Sequence, residues 1–397
     1  MKLDNFIAQM MESARLVQSR DVSSATDVIQ KALADAGLVA PRATAATAAT
    51  AATAATAATA ATTATAEDDG AAFVDLNAAP EWSKHLHARP QRPQARARPA
   101  RPARGTVNPP PQEDLPGKFI GGSFSCEAGT RRYKLYIPSQ PGNGARPLIV
   151  MLHGCTQGSD DFAVSTGMNA LAEKHGCLVL YPEQDGKANR NRCWNWFEAS
   201  HQVRGAGEPE LLAAMTRQVA AEHGADTARI FAAGLSAGGA MAAILGAEYP
   251  ELYAAVGVHS GLAAGCARDL MSGLNAMKKP GRARALREGV PIIVFHGDGD
   301  HLVHADNGDA VLQQFVAVHA REQSTPLHVQ RNEHDGAKRR CTQSTWRNRE
   351  GRAVAEHWVV HGAGHAWSGG NPRGSHTDAT GPSASGEMLR FFLEQAR

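Results

Sequence analysis

The chain has 397 residues, 43% hydrophobic and 20% charged, enough for one domain of about 250 residues and a further segment. Its 41 Lys and Arg against 39 Asp and Glu leave a net charge of +2, which excludes a global pull toward nucleic acid. No run of about 18 strongly apolar residues occurs, and the longest uncharged stretch, Ala43–Ala66, holds only Ala and Thr, too weakly apolar for a membrane span.

Asp4, Glu12 and Arg15 interrupt the N-terminus, which has no apolar core or cleavage signal of an export peptide. A cytoplasmic location is therefore expected, with an extracellular one as the alternative. Leu3, Phe6, Ile7, Met10, Met11 and Leu16 predict a helix over 3–18. Val28, Ile29, Leu33 and Leu38 predict a second over 22–38, ending near Gly37. This helical segment, 1–40, buries too little alone and calls for a partner surface.

From Thr44 to Thr62 threonine recurs at every third position between alanine pairs, with no large side chain to bury. Residues 84–105 then interleave six Arg with four Pro, a solvated and semi-stiff tether that could also touch an anionic surface. Residues 41–115 are accordingly expected to be linker, leaving 116–397 for the main domain.

In that domain, strand-like runs lie at Arg132–Ile137, Leu148–Leu152, Leu178–Tyr181, Ile230–Ala233, Ala254–Val258, Pro291–Phe295 and Glu356–Val360. Helix-like stretches at Met168–His175, Glu210–His223 and Ala240–Glu248 alternate with them, and Ser385–Gln395 is the last helix. Such alternation predicts an α/β domain with a mostly parallel sheet flanked by helices. Six cysteines, Cys126, Cys155, Cys177, Cys193, Cys266 and Cys341, show no C-x-x-C spacing, and without an export signal they are expected to be thiols.

Gly234-Leu235-Ser236-Ala237-Gly238 matches G-x-S-x-G between a strand, "RIFAA", and a helix, "AMAAILGAE". That context lifts a serine hydroxyl above a sheet edge, so Ser236 is the candidate nucleophile. A serine needs a base and an orienting carboxylate, which in this arrangement follow in the order acid, then histidine. "PIIVFHGDGDHLV" offers Asp298 or Asp300, and "HWVVHGAGHAWSGG" offers His361 or His365. Spacing alone leaves both choices open. The strand end His153-Gly154-Cys155 can turn backbone N–H groups toward a carbonyl oxygen, so the N–H groups of Cys155 and Ala237 are the candidate oxyanion donors.

Other readings of these residues are weaker. His361 and His365 stand four apart, but Gly362 and Gly364 oppose the helix that zinc ligation would need. Asp298–Asp309 resembles a calcium loop, yet Leu302 replaces an oxygen ligand and no Glu closes it. No metal or organic cofactor is expected. Cys155 suits a backbone donor better than a thiol nucleophile, and His259 suits a structural role. Trp194, Trp196 and Trp367 are either core or pocket lining, with Trp367, two residues after His365, the best pocket candidate.

The stretches "RRYKLYIP", "MLHGCTQ", "CWNWF", "RGAGEP", "GLSAGGAMAA", "AAVGVHSGLA", "IIVFHGDGDHLV" and "VVHGAGHAWSGG" together resemble the poly(3-hydroxybutyrate) depolymerase family of esterases. The resemblance implies an α/β-hydrolase fold from Phe119 onward. It also implies Ser236 as nucleophile, Asp300 as acid, His365 as base and Cys155 on the oxyanion loop. The implied substrate is poly(3-hydroxybutyrate) or its oligomers, with a short-chain or carbohydrate-linked acyl ester as the alternative. A reading of another class is a granule- or nucleoid-docking protein with a vestigial hydrolase domain, docked on a polymer granule through its N-terminal extension.

Overall fold

Strand-forming and helix-forming sequence alternate through the computed structural model, which describes residues 114–140, 144–322, 326–335 and 339–396. The predicted helices at 3–18 and 22–38, and the linker as far as residue 113, lie outside the described residues.

A hairpin of β1 (Lys118–Cys126) and β2 (Gly129–Ile137) precedes β3 (Arg146–Leu152), α1 (Ser159–Thr166), α2 (Met168–His175) and β4 (Leu178–Glu183). Next come α3 (Gly207–Glu222), β5 (Ala225–Leu235), α4 (Ala237–Glu248), β6 (Ala255–His259), α5 (Leu270–Lys278) and β7 (Ile292–Gly297). The C-terminal part holds α6 (Asp306–Glu322), β8 (His328–His334), β9 (Cys341–Arg347) and β10 (Ala353–Val360). It closes with the short pair β11 (Trp367–Ser368) and β12 (Thr377–Asp378), then α7 (Ala384–Leu393).

Ten of these strands form one sheet in the order β1-β2-β4-β3-β5-β6-β7-β10-β9-β8. The six inner strands, from β4 to β10, run parallel, and antiparallel pairs close both edges. Side chains of a strand alternate between faces, and in a parallel sheet both faces are covered, so the inner strands are mostly apolar. In β3, Leu148, Val150 and Leu152 join one core while Ile149 and Met151 join the other. β4, β5 and β7 divide in the same way. The first core takes α3, α4 and α6; the second takes α1, α2 and α7. Each fully buried Leu, Ile or Val contributes about 1.5–3 kcal/mol to this arrangement.

α7 shows how such a face is specified. Ser383 caps it, with Gly386 N–H donating to Ser383 Oγ at 3.1 Å. Its Phe392 stacks on Phe231 of β5 at 4.9 Å between ring centres. All seven expected strands and all four helices expected in the main domain are present, α2 with the expected ends and most others with shifted ends. Three sheet strands, β1, β8 and β9, and three helices, α1, α5 and α6, were not expected. Among the described residues no helix is long and apolar enough to cross a membrane.

Candidate active site

The carboxyl ends of β3, β5, β7 and β10 lie on one edge of the sheet, where α/β proteins bind ligands. β5 ends at Leu235 and α4 starts at Ala237, so the chain turns from strand to helix within Ser236. The serine adopts a positive φ of 57°, a conformation that costs a non-glycine residue about 1–3 kcal/mol. Its amide donates to His259 O at 2.9 Å, and its own carbonyl accepts from Ala240 N–H at 2.9 Å. Gly234 permits the turn, since a Cβ there would stand 2.4 Å from the backbone of Gly238. Ser236 is half-buried, and its hydroxyl makes no side-chain hydrogen bond among the described residues.

The two acids and two histidines left open by spacing sort into two separate pairs. Asp298 Oδ2 bonds His361 Nδ1 at 2.8 Å, and Asp298 Oδ1 accepts Gly362 N–H at 2.6 Å. That pair is open to solvent, with His361 Nε2 turned to Thr342 Oγ1 at 2.9 Å. Asp300 Oδ2 bonds His365 Nδ1 at 2.6 Å, and this carboxylate has no exposed surface. Asp300 Oδ1 accepts the N–H groups of Leu302 and Val303, both at 2.9 Å. Burial alone would raise the Asp300 carboxyl, but hydrogen bonds from His296, His365 and the Val303 amide outweigh it and hold the group well below the usual range.

His259 joins the histidine loop to the serine turn. Its carbonyl holds Ser236 N–H, and its ring Nε2 accepts Ser368 N–H at 3.0 Å, three residues beyond His365. Burial pushes its imidazole down to about 3, so the ring is a neutral acceptor, and it stacks between Phe295 and Trp367.

Beyond β3, the loop His153–Gln157 is held from three sides. His153 is buried, with Nδ1 on Gly154 O at 2.8 Å and Nε2 accepting Gln184 N–H at 3.0 Å. Gln157 takes Gly154 N–H on its side-chain oxygen at 3.0 Å and donates to Asp161 and Ser375. Third, Cys155 is disulfide-bonded to Cys193. This corrects the expectation of six thiols: two cysteines pair, while Cys126, Cys177, Cys266 and Cys341 are free. The missing C-x-x-C spacing hid a bond across 38 residues, between loops that meet only in the fold. The same bond leaves no thiol at Cys155 to act as a nucleophile. Among the described residues the N–H groups of Cys155 and Ala237 donate to no other acceptor.

The tryptophans lie in the core rather than on an open surface. Trp194 and Trp367 are wholly buried and Trp196 is 5% exposed. Trp367 packs edge-to-face on Phe162 and donates to Ser385 Oγ at 3.0 Å. The large apolar ring two residues from His365 therefore braces that loop from beneath. Sequence reasoning assigned no role to His153, Gln157, His296 or Glu208. Buried Glu208 accepts Asn195 N–H at 2.7 Å and anchors the loop that carries Cys193. The stretches "HGCTQ", "HGDGD" and "RGAGEP" contained these residues, but nothing in them named the partners. Among the described residues no group of three or more His, Cys, Asp or Glu side chains is arranged to hold a metal ion.

Residues 131–329, half of the chain, match the family model described as Esterase PHB depolymerase. The chain is 29% identical over 258 residues to poly(3-hydroxyalkanoate) depolymerase C of Paucimonas lemoignei, covering 61% of this chain and 60% of that protein. It is 26% identical over 253 residues to a probable acetylxylan esterase A of Aspergillus fumigatus, covering 56% and 66%. The chain thus spans 60% and 66% of the lengths of these two relatives. Among solved structures, an acetyl xylan esterase from Aspergillus awamori superposes with a TM-score of 0.53 at 19% identity. That match covers 66% of this chain and 94% of the other, and it shows the α/β-hydrolase fold.

Proposed function

Because the chain belongs to the Esterase PHB depolymerase family, we propose that it is a serine esterase acting through Ser236, His365 and Asp300. One observation carries the reading: a buried aspartate 2.6 Å from His365 Nδ1, on the sheet edge where Ser236 turns between strand and helix. With Nδ1 engaged by Asp300, His365 Nε2 is the nitrogen left to take the serine proton. Ser236 Oγ attacks the ester carbonyl carbon, and the carbonyl π pair moves onto oxygen. The N–H groups of Cys155 and Ala237 receive that oxyanion, with the N-terminus of α4 adding a favourable dipole.

The tetrahedral species collapses as the bond to the alkoxy oxygen breaks. His365 gives its proton to the departing alkoxide, leaving an acyl-enzyme and a free alcohol. Water, deprotonated by His365, then cleaves the acyl-enzyme by the same two steps and restores Ser236. Asp300 holds the imidazole tautomer and stabilises its cation without taking the proton.

Poly(3-hydroxybutyrate) or its oligomers are the proposed substrate, supported by the name of the Paucimonas relative. A small or carbohydrate-linked acyl ester is the second reading, supported by the acetylxylan esterase relatives. The Cys155–Cys193 bond is of a kind that persists in oxidising compartments, and it favours the extracellular alternative over the cytoplasmic one. Ser236→Ala should cut turnover by about six orders of magnitude, leaving only binding and the oxyanion donors. The measurement is release of soluble 3-hydroxybutyrate from amorphous polymer granules, with Ser236→Ala as blank. Release without the serine removes the assignment. No release by the wild type, together with hydrolysis of p-nitrophenyl acetate, moves the substrate to small esters.

A further inference from the structure

His296 has one ring nitrogen with partners and one without. It stands near the end of β7 and is 1% exposed. Nε2 lies 2.9 Å from Val303 O and 3.5 Å from Asp300 Oδ2. A carbonyl oxygen only accepts, so Nε2 carries a proton. The ring's Nδ1 is buried and has no partner among the described residues. Gly308 of α6 presses against it so closely that a Cβ there would stand 2.9 Å away. An unpaired buried ring nitrogen is destabilising, a penalty that an apolar side chain in the same space would not incur. The imidazole is kept for what its other nitrogen does.

We propose that His296 is a positioning residue for Asp300, its Nε2–H, bonded to Val303 O, resting 3.5 Å from the carboxylate oxygen that holds His365. The proposal rests on the esterase reading of Ser236, His365 and Asp300. Three hydrogen-bond donors meet the two oxygens of Asp300, the amides of Leu302 and Val303 on Oδ1 and His365 on Oδ2, and His296 Nε2 adds a 3.5 Å charge contact to Oδ2. A carboxylate offers about four acceptor directions, so the group cannot rotate without losing a bond. Val303 is held twice, by its amide on Asp300 and its carbonyl on His296, which ties the loop after β7 to the strand.

The ionisable groups facing this cluster come from each element packed on it. They are His259 at the end of β6, His357 on β10, His365 beyond β10 and Asp309 on α6. Burial keeps His259 and His357 neutral at working pH, pushing them down to about 3 and about 4. The Asp309 side chain is 66% exposed and screened by water. The charge on Asp300 is therefore shared chiefly between His296 and His365. Without the His296 donor, more of that charge falls on His365 and favours its imidazolium, which cannot act as base. The acid limb of the rate profile must then move to higher pH.

The test compares kcat and KM of the full chain on p-nitrophenyl acetate across pH for wild type, His296→Leu, His296→Gln and His296→Asn. The Gln amide reaches the position of Nε2, whereas the Asn amide reaches only that of Nδ1. We expect His296→Leu and His296→Asn to lose about tenfold in kcat with KM little changed. Their acid limbs should lie roughly one pH unit higher. His296→Gln should keep the wild-type profile. A folded Leu or Asn variant with an unmoved acid limb overturns the proposal. If Leu does not fold, the Gln and Asn pair decides alone. Ser236→Ala runs beside them: if it retains activity, the esterase reading itself fails, whatever the His296 variants do.

Discussion

Gly238 lacks a single methyl group, and there is no room for one. A Cβ there would stand 2.0 Å from Leu152 O and 2.6 Å from His153 O, both backbone atoms that cannot swing aside. Gly238→Ala should therefore destabilise the protein by at least about 2 kcal/mol through forced separation of α4 from β3. Urea unfolding measures it, and an unchanged midpoint would mean the helix shifts freely. This crowding is why the serine turn was legible in the sequence: steric demand leaves its mark as glycines at fixed spacing. The pairing of acids with histidines left no such mark. Asp298 with His361 satisfies the same order as Asp300 with His365; beyond the family resemblance, burial is what distinguishes the second pair. His296 was illegible for another reason, since its role depends on a ring nitrogen meeting groups that a loop brings back to it.

Among the elements, legibility followed burial. β3, β4, β6 and β7 are covered on both faces and showed up as short apolar runs. β8, "HVQRNEH", is almost wholly exposed at the sheet edge, and β1 is broken by Gly121-Gly122. β8 has no apolar face to advertise it, though charged residues on an edge strand discourage pairing with another chain. The loop after β3 depends on a partner equally invisible in sequence, Cys193, which lies beyond β4. Closing 38 residues, the Cys155–Cys193 bond should contribute about 4 kcal/mol in the chain-entropy account. Reduction by a phosphine should lower the urea midpoint accordingly. It should also cut kcat on a soluble ester by at least about tenfold, because the Cys155 N–H loses one of its restraints. The remaining thiols offer little confusion. Burial pushes those of Cys177 and Cys266 up to about 11 and about 12 and raises that of Cys341. Full activity after two new thiols are counted would show that hydrogen bonds alone hold the loop.

At the scale of the molecule, buried imidazoles make the domain sensitive to acid. Burial lowers His153, His259 and His357, the last two to about 3 and about 4. In the unfolded chain such rings titrate near 6.5, so below that pH the unfolded state gains protons that the native state refuses. The stability held by these neutral rings is present above about pH 6.5 and lost as pH falls toward 4 and 3. Differential scanning calorimetry should find Tm falling steadily from about pH 7 to about pH 4, and a flat Tm over that span would contradict neutral burial. The broad architecture was readable because periodicity encodes layers. What could not be read was how separate loops close on one another. Ser236, Asp300 and His365 follow β5, β7 and β10, and the loop bearing His365 is secured to the ring of His259 through Ser368. On the proposed esterase reading, a nascent chain that has left the ribosome only as far as the loop after β7 carries the proposed nucleophile and acid without the proposed base, His365. On that reading, turnover begins only once β10, the last inner strand, and the loop after it have docked.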